Sequence, residues 1–164
     1  MTGVSWFGRP PEGLDMYHVG VVVPDVRAAM AQYGEALGFT WSPVGSSAFD
    51  VLVDGRPQEA RVAATYSLEG PPYLELVEEL SGGVWAAGAL GLQHVGLWAD
   101  DLEGAITRFD AAGLPSRVRH LPAEGEPALF SYHDGGAGLW WELVSTAFRP
   151  RLERRLRAGR EDGS

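Results

Sequence analysis

Along Tyr17–Val23 the apolar Val19, Val21 and Val23 alternate with His18, Gly20 and Val22, a pattern that is apolar-to-polar or small at its first two steps. This period of two predicts a strand. Pro24 stops it and Asp25 is a suitable N-cap. Val26, Met30, Tyr33 and Leu37 then fall on one helical face, and Gly38 suits the helix end. The same order returns further along the chain. Positions 18, 26, 30 and 33 correspond to 94, 102, 106 and 109, a constant shift of 76 residues. Val95, Leu97 and Ala99 continue one strand face, Asp101 caps, and Leu102, Ile106 and Phe109 form the stripe.

Each copy continues as a meander. Phe49–Val53 and Arg61–Tyr66 read as strands, with Asp54-Gly55 starting the turn between them, and Pro71-Pro72 introduce a last strand around Glu75. The second copy reads as strands at Ser116–His120, Leu129–His133 and Leu139–Ser145. From Glu75 to Glu142 the shift is 67, so the second copy has lost nine residues within its middle strands. The pattern predicts an α+β chain of two tandem βαβββ modules. Residues 1–15 form an N-terminal extension, 16–80 module 1, 81–91 a linker and 92–146 module 2. Trp85 is expected to be pinned between the modules. Residues 147–164 form an Arg-rich tail whose Phe148, Leu152 and Leu156 lie four apart on a helix with a solvated outer face.

Strand faces locate the unusual residues. Val19, Val21 and Val23 share the face that the module's own helix covers, which sends His18 and Gly20 to the opposite, concave face. His94, Gly96 and Trp98 follow the same rule. Leu74 and Leu76 put Glu75 on the concave side, and Trp141 and Leu143 do so for Glu142. A carboxylate in an apolar strand is costly unless paired or bound to metal. All 13 basic residues are Arg, there is no lysine, and none of the Arg lies in these strands. Two His and two Glu at matched positions therefore point to one divalent metal ion. The donors suit Zn, Ni, Co, Mn or Fe without choosing among them. One repeated duplication carries both copies, so a hydrogen-bonded core histidine is the competing reading for each His alone.

Composition narrows the alternatives. With 164 residues the chain can bury a substantial core. It has no cysteine, which excludes disulfides, thiolate zinc and Cys nucleophiles; lacking lysine, it has no Schiff-base or P-loop lysine. The net charge is −9; residues 1–148 carry 7 Arg against 19 acids, and residues 149–164 carry 6 Arg against 3 acids. An acidic body argues against nucleic acid and against a membrane partner. The N-terminus has no basic start followed by an apolar run, so cytoplasm is the expected location.

His-Val-Gly at the first strand of each copy, the Asp-capped helices, and Leu-Glu-Leu and Trp-Glu-Leu at the last strands resemble the vicinal oxygen chelate superfamily, which includes glyoxalase and methylmalonyl-CoA epimerase. The resemblance covers residues 16–146. It implies an open eight-stranded cup with helices on the outer face and a homodimer. It also implies His18, Glu75, His94 and Glu142 as ligands of one metal, with Glu75 or Glu142 moving a proton. The function so implied is a metal-dependent isomerase, epimerase or lyase that stabilises an enolate or enediolate of a small carbonyl or thioester substrate. One alternative is a non-catalytic, drug-sequestering protein of the bleomycin-resistance kind, with Trp98 against the ligand. The other is an iron-dependent ring-cleaving dioxygenase, against which a fourth ligand at Glu75 weighs. His120, His133, Arg61 and Tyr66 are weaker candidates: His133 reads as hydrogen-bonded or solvent-facing, and only one of Arg61 and Tyr66 can reach the cup.

Overall fold

The computed structural model describes residues 12–81 and 93–163. The expected Trp85 contact, most of the N-terminal extension and nearly all of the linker lie outside them. The first copy forms β1 (Leu14–Val22), α1 (Val26–Leu37), β2 (Gly45–Val53), β3 (Arg56–Tyr66) and β4 (Tyr73–Glu79). The second forms β5 (Gln93–Ala99), α2 (Leu102–Ala111), β6 (Ser116–His120), β7 (Phe130–Asp134) and β8 (Leu139–Ser145). A short 3₁₀ turn leads into α3 (Arg149–Asp162).

Local chemistry sets the helix ends. Asp25 accepts from the Ala28 amide at 2.9 Å and Asp101 from the Gly104 amide at 3.0 Å, each satisfying a first-turn donor. Gly38 ends α1 at φ 76°, with its amide returned to Gly34 O. Val26 and Ala29 bury against Val23, Ala63 and Leu76, whereas Leu37 is 63% exposed. The apolar stripe of α1 therefore runs one turn beyond what the sheet covers. Leu102, Ala105 and Ile106 of α2 bury against Leu14, Ala99 and Leu143. None of the helices among the described residues is long and apolar enough to cross a membrane.

The strands run β1-β4-β3-β2-β6-β7-β8-β5 and return to β1, forming the expected eight-stranded cup. Its two halves join antiparallel through β1 and β5, with Val19 opposite Val95. The ring closes on the far side, where Val51–Val53 pair with Val118–His120. The middle strands of the second copy are shorter, five residues each in β6 and β7 against nine and eleven in β2 and β3. That contraction leaves Gly45–Ser47 without a β6 partner.

α3 is the expected amphipathic helix, with its leucine stripe inward and its Arg-rich face largely exposed. Leu152 and Leu156 are buried in the interior cluster with Tyr66, Val62 and Trp98. Arg151 donates to Ser47 Oγ at 3.0 Å, and Arg155 donates to Pro43 O at 3.2 Å and also to Ala64 O. The helix thus lies along the exposed end of β2, where the short second copy leaves the wall unfinished. Gly159 permits this approach: a Cβ there would stand 2.9 Å from Ser42 Cα and 3.1 Å from Trp41 O.

Candidate metal centre and its cavity

The His-Val-Gly repeat has a physical reason. In the β1·β5 ladder His18 lies opposite Gly96 and Gly20 opposite His94. Each imidazole lies over the other strand's glycine. A Cβ on Gly96 would stand 1.9 Å from His18 Cε1, and one on Gly20 would stand 2.0 Å from His94 Cε1. Nothing larger than glycine leaves room for the opposing ring. Parallel pairing then places Glu75 beside Gly20 and Glu142 beside Gly96.

All four side chains meet. The Nε2 atoms of His18 and His94 face each other at 2.9 Å. Glu75 Oε2 lies 3.3 Å from His18 Nε2 and 3.1 Å from His94 Nε2; Glu142 Oε2 lies 3.1 Å and 3.5 Å from the same atoms. Both histidines and both glutamates are buried. Metal bonds of about 2.1 Å separate ligand atoms by roughly 3.0 Å at right angles and roughly 3.4 Å at tetrahedral angles. The observed spacings, from 2.9 to 3.5 Å, lie within about 0.1 Å of that range, and two imidazoles with two carboxylates are a donor set for a borderline divalent ion. The residues present therefore fit a metal ion, and they form a group of possible ligands within 4.8 Å of one another.

The metal-free electrostatics follow from the same contacts. Burial opposes a charge on His18, yet Glu75 and Glu142 overcome it and raise the imidazole to about 9. Burial likewise opposes ionisation of Glu75, but His18 and His94 hold its carboxyl well below the usual range. Burial, reinforced by neighbouring Tyr66, Glu142 and Glu75, pushes the Tyr17 hydroxyl up. Tyr66 is raised by burial and by the two glutamates beside it. Both phenols keep their protons at neutral pH.

A cavity of about 70 Å³ opens above Glu75 and Glu142. Tyr17, Tyr66, Tyr132, Phe49, Phe130 and Phe148 supply its aromatic walls. Sequence reasoning left Tyr66 open against Arg61 and did not single out the other five. Tyr66 faces inward, opposite Glu75 in the ladder, and Arg61 is exposed and paired with Glu59. Tyr132 holds the equivalent place opposite Glu142. Tyr17 reaches the interior because the β1·β5 register shifts between Met16 and His18, so two successive side chains turn inward. Trp98 is interior but does not line the cavity; it stacks behind Tyr17 with ring centres 3.7 Å apart, so Tyr17 holds the position expected for it. His120 packs edge-on to Phe49 at 5.9 Å and accepts from the Leu129 amide. His133 is fully buried outside the cavity, bonded to Ser131 Oγ and Leu114 O.

Residues 17–130 match the family described as Glyoxalase/Bleomycin resistance protein/Dioxygenase superfamily. The chain belongs to this superfamily. Its fold is shared by methylmalonyl-CoA epimerase from Mycobacterium tuberculosis, at 21% identity and TM-score 0.53, with 85% of this chain and 91% of that one covered. A hypothetical protein from Bacillus halodurans C-125 is similar at 16% identity and TM-score 0.55, covering 82% and 96%. A variant of Streptomyces coelicolor methylmalonyl-CoA epimerase in complex with 2-nitronate-propionyl-CoA is similar at 18% identity and TM-score 0.51, covering 80% and 94%. No functionally curated protein matches the sequence significantly. At these identities the structural likeness concerns the fold alone.

Proposed function

We propose that this superfamily member is a divalent-metal-dependent isomerase, epimerase or lyase acting on a small carbonyl compound or its thioester. The observation that carries the reading is the convergence of His18, Glu75, His94 and Glu142 beneath a cavity, with a glycine opposite each imidazole. These four residues would hold the ion. When bound, the metal supplies Lewis acidity toward substrate oxygens and so stabilises an enolate or enediolate.

The chain's own groups do the rest. Glu75 and Glu142 both line the cavity, and either carboxylate can take a proton from a carbon held above it. Tyr66 stands opposite Glu75 in the β3·β4 ladder and lines the same cavity, which places its hydroxyl to orient that carboxylate. The aromatic walls exclude bulk water, which lengthens the life of a carbanionic species and strengthens each electrostatic contact. Protein purified without chelator is expected to contain about one divalent ion per chain by elemental analysis. In D₂O it should catalyse exchange of the α-proton in a panel of hydroxyketones and thioesters, and Glu142→Gln should slow that exchange. Absence of stoichiometric metal after incubation with each candidate ion would end this reading.

The walls favour one second reading, a protein that only sequesters aromatic ligands. It expects tight binding with quenched Trp fluorescence, indifferent to metal and without proton exchange.

A further inference from the structure

Among the described lining residues the cavity has no cationic side chain. The charged groups among those residues are Glu75 and Glu142, and the proposed metal chemistry already employs both. Two guanidinium groups that stack on its wall residues face elsewhere. Arg155 lies over the Tyr66 ring at 5.4 Å and donates to the carbonyls of Pro43 and Ala64. Arg151 lies over the Phe148 ring at 5.3 Å and donates to Ser47. Both act on the outside of the wall and hold α3 in place.

A divalent ion beside two carboxylates leaves a site of no net charge. A carboxylate, phosphate or sulfate elsewhere on the ligand would enter aromatic surroundings with no cationic partner among the described lining residues, and would lose its hydration uncompensated. An uncharged aliphatic or aromatic remainder loses nothing there and gains by leaving water. The available space is small, and α3 with Phe148 closes the side where a longer wall would otherwise stand.

We propose that the cup selects small carbonyl compounds whose polar atoms are the two oxygens offered to the metal and whose remainder is uncharged and apolar. This rests on the metal-dependent reading above and narrows its substrate class. The selecting elements are the aromatic walls and the C-terminal helix.

Three hydroxamates test it, because all carry the same two-oxygen head. Acetohydroxamate has almost no remainder. 4-Methylpentanohydroxamate has a branched apolar end, and succinic acid monohydroxamate has a carboxylate of nearly the same shape in its place. Each is titrated by calorimetry into the full-length protein, metal-free and after loading with Co²⁺. With Co²⁺ bound at about one per chain, 4-methylpentanohydroxamate is expected to bind about tenfold or more tighter than acetohydroxamate. It should also bind about 100-fold tighter than the succinic compound. Phe148→Arg, at a half-buried position on the rim, should shrink the second gap by about tenfold. Equal or tighter binding of the succinic compound to Co²⁺-loaded protein would overturn the charge selection while leaving the metal site intact. Failure to take up Co²⁺ or any of the other candidate ions would overturn the metal reading and this one with it.

Discussion

Gly96→Ala removes no proposed ligand, yet it should disable the metal site. The added methyl would stand 1.9 Å from His18 Cε1 and 2.1 Å from Nδ1. Non-bonded carbons settle at about 3.5 Å, so the ring must retreat by roughly 1.5 Å. It has little room, being fully buried with Tyr17 edge-on at 4.3 Å and His94 at 5.0 Å. Metal bonds tolerate about 0.2 Å, so His18 leaves the ligand set. We expect metal affinity to fall by more than about 100-fold, beyond the loss typical when only an outer hydrogen bond is removed. Overpacking should cost folding about 1–3 kcal/mol. Competition against a chromophoric chelator reads the affinity, and chemical denaturation of the metal-free protein reads the folding cost. Gly20→Ala should behave alike, because its methyl would meet His94 at 2.0 Å. Gly163→Ala is the control, since its Cβ would make only an ordinary contact at 3.6 Å. A folded Gly96→Ala protein that binds metal within threefold of the parent would refute the reciprocal packing argument.

Metal affinity should rise with pH up to about 9, because a proton must leave His18 before the ion can bind. The rise approaches one decade per pH unit, and a flat profile between pH 7 and 9 would contradict it. In the metal-free protein the raised pKa of His18 contributes stability that is present below about 6.5 and lost as pH climbs through about 9. His133 has the opposite sign: burial lowers its pKa, so its contribution is present above about 6.5 and lost as pH falls through its folded value. His133→Gln should therefore flatten the acid side of a stability–pH curve, leaving the alkaline side unchanged. Leu156→Ala on α3, where the side chain is buried, should cost about 2–4 kcal/mol in urea denaturation. A loss under 0.5 kcal/mol would mean that α3 is not anchored as described.

The repeated elements were legible because their period and their breakers agree. Asp25 and Asp101 cap, Gly38 ends α1, and alternation around Glu75 and Glu142 puts both carboxylates inward. What escaped the reading depends on neighbours that alternation does not encode. Val19 was expected under a helix; it lies at the seam between the two halves, opposite Val95, and is 38% exposed. Strict alternation also hides Tyr17, which a register shift turns inward. The nine-residue contraction was visible in the spacing, but its consequence was not. A shorter β6 and β7 leave β2 partly unpaired, and only the folded chain shows α3 occupying that side.

The seam between β1 and β5 makes metal binding and chain cohesion one equilibrium. Each half of the molecule brings one imidazole and one carboxylate, and each depends on a glycine from the other half for room. An ion held by all four would clamp the halves together with no covalent cross-link between them. At 100 times its dissociation constant such an ion adds about 2.7 kcal/mol to the folded state. Chelation would then withdraw that increment from the line along which the molecule divides.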